Sequence, residues 1–294
     1  MKKNYKILII GGDSYIAKNF VRHFMDSYNF LLISRHKTYF KNEHIIENFF
    51  DIDEFLFKNV DVVINFSAIV HKRFVSKKTY EKVNYLLPKY LFELSKENGV
   101  KHFIQMSTVN VYQRKKIVYV NSLEKPKNNY GRFKLKTDNY LKNNHSNKIL
   151  VTILRPPLVY GKKAPGNLHK LLSLSRLKIP LPFRHLNNKL YFIHVYNLSS
   201  FINIVINNKL VGTFIPTDKK PTSTLEIVTK TREILGIKNY LFMFPNFISY
   251  LIRVLTPNLY DKVFGSLILK SNINNSYFYQ EKNLIDELNN ILKK

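Results

Sequence analysis

Short, wholly apolar runs alternate along this chain with longer stretches in which apolar residues recur every third or fourth position. Ile7-Leu8-Ile9-Ile10, within residues 5–10, reads as a buried strand. Residues 14–27 read as a helix with Ile16, Ala17, Phe20, Val21 and Phe24 on one face. The alternation continues. Strands are predicted at Phe30-Leu31-Leu32-Ile33, near 44–50, at Asp61 to Phe66, at Lys101 to Met106 and at Leu150 to Leu154. Helices are predicted over 80–98, kinked at Pro88, and from Tyr130 to about Leu141. Runs apolar on both faces suit parallel strands covered by helices. The fold class is therefore α/β, with a doubly wound parallel sheet.

After Gly161 the rhythm breaks into Pro-containing segments, Ala164-Pro165-Gly166-Asn167 and Ile179-Pro180-Leu181-Pro182, of the kind that grip a ligand. Regular elements return as a strand over Leu190 to Val195, a helix over 197–208 and a strand over 211–216. Ser223-Thr224-Leu225-Glu226 is a capping box opening another helix. Residues 240–255 are strongly apolar but too short to span a bilayer, and Pro245, Asn246 and Arg253 interrupt them. A helix facing the core or a second subunit is expected there.

Composition narrows the chemistry. There is no cysteine, which excludes disulfides, cysteine nucleophiles and thiolate metal sites, and no metal site is expected. The apolar run near the N-terminus is too short for a secretory signal, so a cytoplasmic location is expected. The formal net charge is +27. Its basic residues are scattered rather than clustered in a tail. That suits solvated faces and a phosphorylated ligand, with no nucleic-acid partner expected.

Gly11-Gly12-Asp13-Ser14-Tyr15-Ile16-Ala17 lies between the first strand and helix, where backbone amides can approach a pyrophosphate. Ser14 stands where a glycine is usual. The acid that would bind a ribose about 20 residues on is replaced by Ser34-Arg35, which favours the 2′-phosphate of NADP. Asp51-Ile52-Asp53 follows the third strand, where a carboxylate could reach an adenine edge. Ser67-Ala68 are small residues at the C-terminal end of the fourth strand, the edge at which such sheets bind ligands. Tyr130 and Lys134 share a helix face at i,i+4, following a strand that ends in Ser107-Thr108. A nearby ammonium lowers a phenol's pKa, and a tuned phenol can exchange a proton as hydride moves. The same Tyr-x-x-x-Lys spacing at Tyr85/Lys89 and Tyr112/Lys116 lacks that setting.

Taken in order, these pieces resemble the extended short-chain dehydrogenase/reductase family, in its nucleotide-sugar epimerase/dehydratase/reductase branch. They run from Ile9-Ile10-Gly11-Gly12 through Asp51, Asn65-Phe66-Ser67-Ala68, Ser107-Thr108 and Tyr130/Lys134 to Arg155-Pro156-Pro157-Leu158-Val159-Tyr160-Gly161. The resemblance implies a Rossmann domain over residues 1–160, with 193–217 returning to it, and a substrate-binding lobe from 161–192 and 218–294. It implies Tyr130 as acid/base, Thr108 on the reacting oxygen and Lys134 on the nicotinamide ribose. Gly11, Ser14, Tyr15 and Ile16 match the pyrophosphate loop. Ser34, Arg35, Asp51, Ile52, Phe66, Ser67 and Ala68 match the dinucleotide edge, and Pro157 and Val159 meet the nicotinamide. Asn167 matches a position at the nucleotide-sugar diphosphate, where Lys189 can stand in for an arginine that Leu190 replaces. A homodimer through the helices holding 80–98 and 128–142 is also implied.

Departures sharpen the expectation. Family dehydratases carry Asp-Glu directly after the catalytic Thr, whereas Val109-Asn110 follow Thr108. Arg35 then tips the reading to an NADP(H)-dependent reductase of a UDP-linked 4-keto-6-deoxy-N-acetylhexosamine in surface-polysaccharide synthesis. The alternatives are a UDP-sugar 4-epimerase with tightly held NAD(H) and a non-catalytic nucleotide- or RNA-binding scaffold.

Overall fold

A computed structural model describes residues 5–70, 75–113, 115–243, 245–256, 260, 264–273 and 282–293. In chain order the first elements are β1 (Lys6–Ile10), α1 (Tyr15–Phe24), β2 (Asn29–Ser34), β3 (Glu43–Ile45) and β4 (Val62–Asn65). They are followed by α2 (Lys77–Glu81), α3 (Leu87–Glu97), β5 (His102–Met106), β6 (Ile117–Val118), α4 (Asn129–Asn144) and β7 (Leu150–Leu154). Next come β8 (Leu158–Tyr160), α5 (Asn167–Ser175), β9 (Phe192–His194), α6 (Val195–Asn208) and β10 (Gly212–Phe214). The last are α7 (Thr224–Ile234), α8 (Asn246–Leu255), β11 (Ile268–Leu269) and α9 (Leu284–Leu292).

Seven strands form one parallel sheet in the order β10-β7-β5-β4-β1-β2-β3. The order reverses between β1 and β4, which opens a crevice at their C-terminal ends. The period-two geometry of a strand sends neighbouring residues to opposite faces. Ile7 and Ile9 accordingly join a core with Phe20, Val21, Phe201 and Ile202, against α1 and α6. Leu8 and Ile10 join the opposite core with Leu87, Leu91, Phe92 and Leu141, against α3 and α4. Both faces are covered, so the strands read as continuous apolar runs.

Three elements differ from expectation, each for a local reason. The third strand is only Glu43–Ile45, because the Asn48 side chain accepts from the Phe50 backbone N–H and starts a tight turn over Phe49–Asp51. The helix expected over 80–98 passes through a π-helical turn, Lys82–Leu86, just before Pro88. Pro88 has no N–H to give to Asn84, four residues back. The hydroxyl of Thr137 on α4 donates to the Asn84 carbonyl instead, at 2.6 Å. The Asn84 side chain is meanwhile bonded both ways to the backbone of Ile69. The apolar run over 240–255 becomes helix only from Asn246, after Pro245, and among its described side chains Phe247, Tyr250 and Leu255 are 71%, 70% and 69% exposed.

Beyond the sheet, β8 pairs with β9 and β11 with β6, while Leu190 bridges both Thr222 and Leu267. The capping box at Ser223 and Glu226 forms as expected. Among the described residues no helix is long and apolar enough to cross a membrane.

Candidate active site

The site is built where α4 meets the end of β5. Asn128 caps α4 by accepting the Gly131 N–H at 2.8 Å. Gly131 lets the helix approach the turn after Thr108: a Cβ there would lie 2.5 Å from the Asn110 carbonyl oxygen. That close approach sets Tyr130 within hydrogen-bonding reach of Thr108. Thr108 also caps the turn Val109–Val111, its hydroxyl accepting from the Asn110 backbone and side chain at 3.2 and 3.1 Å. One turn along α4, the Lys134 Nζ donates to the Met106 carbonyl at 2.8 Å. Thr108, Tyr130 and Lys134 are all buried and form one cluster.

The electrostatics of the chain alone run against a tuned phenol. Burial pushes Tyr130 up to about 12, and only its bond with Thr108 draws it back. Burial holds the Lys134 ammonium down at about 8, with Asp138 opposing. In the chain alone the Lys134 ammonium is held by the Met106 carbonyl, and Thr108 is the group that draws the Tyr130 pKa down.

Asp138 is a residue that the sequence reading missed. It lies one turn beyond Lys134 on the same face of α4 and is fully buried. It accepts from the Ser107 hydroxyl at 2.8 Å and from Arg155 Nε at 2.8 Å. Arg155, also fully buried, reaches Glu124 through its Nη1 at 2.6 Å and lies over the Tyr112 ring. Burial raises the Asp138 carboxyl pKa, and the Arg155 and Ser107 contacts oppose that rise. The signal was present in the sequence: Tyr130, Lys134 and Asp138 recur at i, i+4 and i+8 on a helix of otherwise polar character.

At the crevice, the Gly11 and Gly12 amides both donate to the Ile33 carbonyl, joining the ends of β1 and β2. Gly11 has φ +78°, and a Cβ there would sit 2.8 Å from the Ser67 amide nitrogen at the end of β4. The loop is thus a cradle that only glycine fits. Ser14, where a glycine is usual, has φ −68° and ψ 151°, ordinary extended angles, and its hydroxyl caps Ala17 N–H at 3.2 Å. No glycine is needed there. Tyr15 donates to the Lys162 carbonyl at 3.2 Å, while Ile16 is half-buried beside it. Phe66 and Ser67 are buried and Ala68 half-buried; Ser67 is held by Asn65 Oδ1. Pro157, just before β8, is buried, and Val159 on β8 is half-buried.

The other expected residues are less tightly built in. Ser34 is buried and donates to the His36 carbonyl, whereas Arg35 is exposed with its guanidinium 5.8 Å from the Phe49 ring centre. Asp51 is exposed and bonded by Asn48 Nδ2, and Ile52 is buried. Asn167 opens α5; its side chain lies outside the description. Lys189 is exposed, and its backbone is tied to Ser266 and Leu267. A cavity of about 160 Å³ is lined by Tyr191, Thr217, Asp218, Lys219, Leu269 and Lys270 among others. Tyr191 and Leu269 pack with Val109, Val111 and Tyr112, directly after Thr108. Neither Lys219 nor Lys270 had a sequence signal, because each reaches this cavity only through tertiary folding.

Comparison with known proteins identifies the family. A UDP-glucose 4-epimerase of Vibrio cholerae is 25% identical over 286 residues, 91% of this chain and 83% of that protein. An N-acetyl-alpha-D-glucosaminyl-diphospho-ditrans,octacis-undecaprenol 4-epimerase of Escherichia coli O157:H7 is 24% identical, covering 80% of this chain and 74% of its own length. The crystal structure of a UDP-glucuronic acid 4-epimerase from Bacillus cereus, in complex with NAD, superposes with a TM-score of 0.77 at 19% identity, covering 97% and 95% of the two chains. Residues 7–213 match the NAD dependent epimerase/dehydratase family, and the chain belongs to that family of nicotinamide-dinucleotide enzymes.

Proposed function

We propose that this enzyme is a nucleotide-sugar 4-epimerase that retains NAD. The observation that carries the reading is the buried cluster of Thr108, Tyr130 and Lys134 beside a glycine cradle at the sheet crevice. Both relatives described above are 4-epimerases, which supports this reading over the reductase favoured by Arg35. The chain lacks the acidic pair after Thr108 that dehydration would use, and it lacks cysteine.

In this reading Gly11, Ser14, Tyr15 and Ile16 hold the pyrophosphate, and Ser34, Arg35, Asp51 and Ile52 hold the adenosine. Phe66, Ser67, Ala68, Pro157 and Val159 line the nicotinamide side. Bound NAD supplies a hydride acceptor for sugar C4, a donor for its return, and a positive charge. Tyr130 takes the proton of the C4 hydroxyl and gives it back after the sugar has turned, while Thr108 holds that oxygen. Such a placed acid/base is worth about 10²–10⁴-fold. Lys134 fixes the ribose and keeps its positive charge near the phenol. Residues 161–192 and 218–294 grip the sugar nucleotide, a UDP-sugar, with Asn167, Lys189, Lys219 and Lys270 as groups for its diphosphate. The assembly is a homodimer through the helices holding 80–98 and 128–142.

Arg35 keeps the reductase as the second reading, since an exposed guanidinium at the end of β2 suits a 2′-phosphate. The test is incubation of the purified protein with UDP-glucose and UDP-N-acetylglucosamine without added cofactor. Appearance of the C4 epimer supports the proposal. No epimer, with stoichiometric NADPH consumption on a UDP-4-keto sugar, would replace it by the reductase.

A further inference from the structure

The helix α8 presents a stripe of five apolar residues to solvent. Phe247, Tyr250, Leu251, Val254 and Leu255 stand at i, i+3, i+4, i+7 and i+8, one face of a helix, and all are exposed. The surrounding surface has the same character and is rigidly built. Arg232 is fully buried and donates to the carbonyls of Ser175, Leu177, Ile179 and Tyr240. This ties the 175–179 segment to the strand-like stretch entering α8. Leu181 and Arg184 bond to the backbone of Tyr240 and Phe242, which completes the join. Leu177, Ile179, Tyr240 and Met243 are exposed on these tied segments, the second of which leads into α8.

The exposed charges on the tied segments are all basic. Arg176, Lys178, Arg184 and Lys238 are exposed on the tied segments. No Asp or Glu occurs between Asp138 and Asp218, or between Glu233 and Asp261. Glu233, the nearest acid in the chain, is paired with Lys230, so a second copy packed on the same face would set basic rim against basic rim. An anionic lipid surface offers what the patch lacks: phosphates for the rim and acyl chains for the apolar face. At ten residues α8 is too short to cross a bilayer and suits lying in its interface.

We infer that α8 and the adjoining 176–184 and 238–243 segments dock this enzyme peripherally on an anionic membrane, with the apolar face of α8 inserted between headgroups.

The test is co-sedimentation of the full chain with vesicles of equimolar phosphatidylcholine and phosphatidylglycerol, compared with phosphatidylcholine alone. The double substitution Leu251→Ser, Val254→Ser removes part of the inserted face, and Lys178→Glu with Arg184→Glu reverses part of the rim. Unfolding temperature and nicotinamide binding, measured on each, confirm that the variants fold. The expected result is binding to the anionic vesicles, weakened about tenfold or more by either pair of substitutions, because apolar and basic signals act together. Failure of the native chain to bind at low salt would overturn the inference. So would unchanged binding by the Ser variant, which would mark non-specific adhesion of a basic protein. Absence of vesicle binding together with a dimer that the Ser variant dissociates would assign the face to a second copy.

Discussion

α4 and α8 break the usual partition of residues in opposite directions. α4 is polar along its length yet buries Lys134, Thr137 and Asp138. α8 is strongly apolar yet turns Phe247, Tyr250 and Leu255 to water. Burying a charge is costly unless it is paired, and α4 pairs each one: Lys134 with a carbonyl, Asp138 with Ser107 and Arg155. That costly arrangement surrounds the cluster proposed to carry the chemistry. Exposing an apolar stripe carries a smaller cost in a single chain and marks where something else is bound. The two helices therefore respond differently to substitution.

The largest effects should fall on α4. Tyr130→Phe removes the proton carrier and should lower turnover by about 10²–10⁴-fold with little change in unfolding temperature, as steady-state kinetics and calorimetry would measure. Asp138→Ala leaves the Arg155 guanidinium buried without its main partner and should cost about 3–5 kcal/mol in denaturant unfolding. Thr137→Val orphans the Asn84 carbonyl that Pro88 cannot serve and should cost about 1–3 kcal/mol by the same assay. On α8, by contrast, Leu251→Ser should change stability by no more than about 0.5 kcal/mol. If it costs as much as Thr137→Val, the face is packed rather than exposed.

A pH series sharpens the comparison. Lys134 is held at about 8 when folded, against an ordinary 10.5. Between those values the unfolded chain binds more protons, so this group makes stability rise with pH. Tyr130, raised to about 12 from 10, acts oppositely once the pH passes about 10, because the unfolded phenol loses its proton first. Lys134→Met should therefore flatten the rise from about pH 8 to 10. A native chain whose stability follows the variant's in that window would show that Lys134 is solvated.

The alternation of strands and helices, the glycine turn after β1 and the shared helix face of Tyr130 and Lys134 were all legible in the sequence, because each rests on spacing within one element or across one turn. Asp138 was legible in principle, being in helical register with Lys134, but its role depends on Arg155, which arrives from β7 across the sheet edge. The π-turn before Pro88 was half legible. A kink was expected, yet its form depends on a hydroxyl from another helix. For 240–255 the sequence left the core and a second subunit both open, because apolar content says that a face is to be covered, not by what. The NADP preference rested on Ser34-Arg35 standing where an acid is usual, and in the fold the Arg35 guanidinium is exposed, 5.8 Å from the Phe49 ring centre.

The most direct measurement is the fate of hydrogen at sugar C4. A UDP-hexose carrying deuterium at C4 would be incubated with the enzyme and no added cofactor, and the separated epimers analysed by mass spectrometry. Epimerisation by Tyr130 with a retained dinucleotide predicts that the product keeps its deuterium at C4. Loss of the label to solvent, or its appearance in free reduced nicotinamide, would contradict the account.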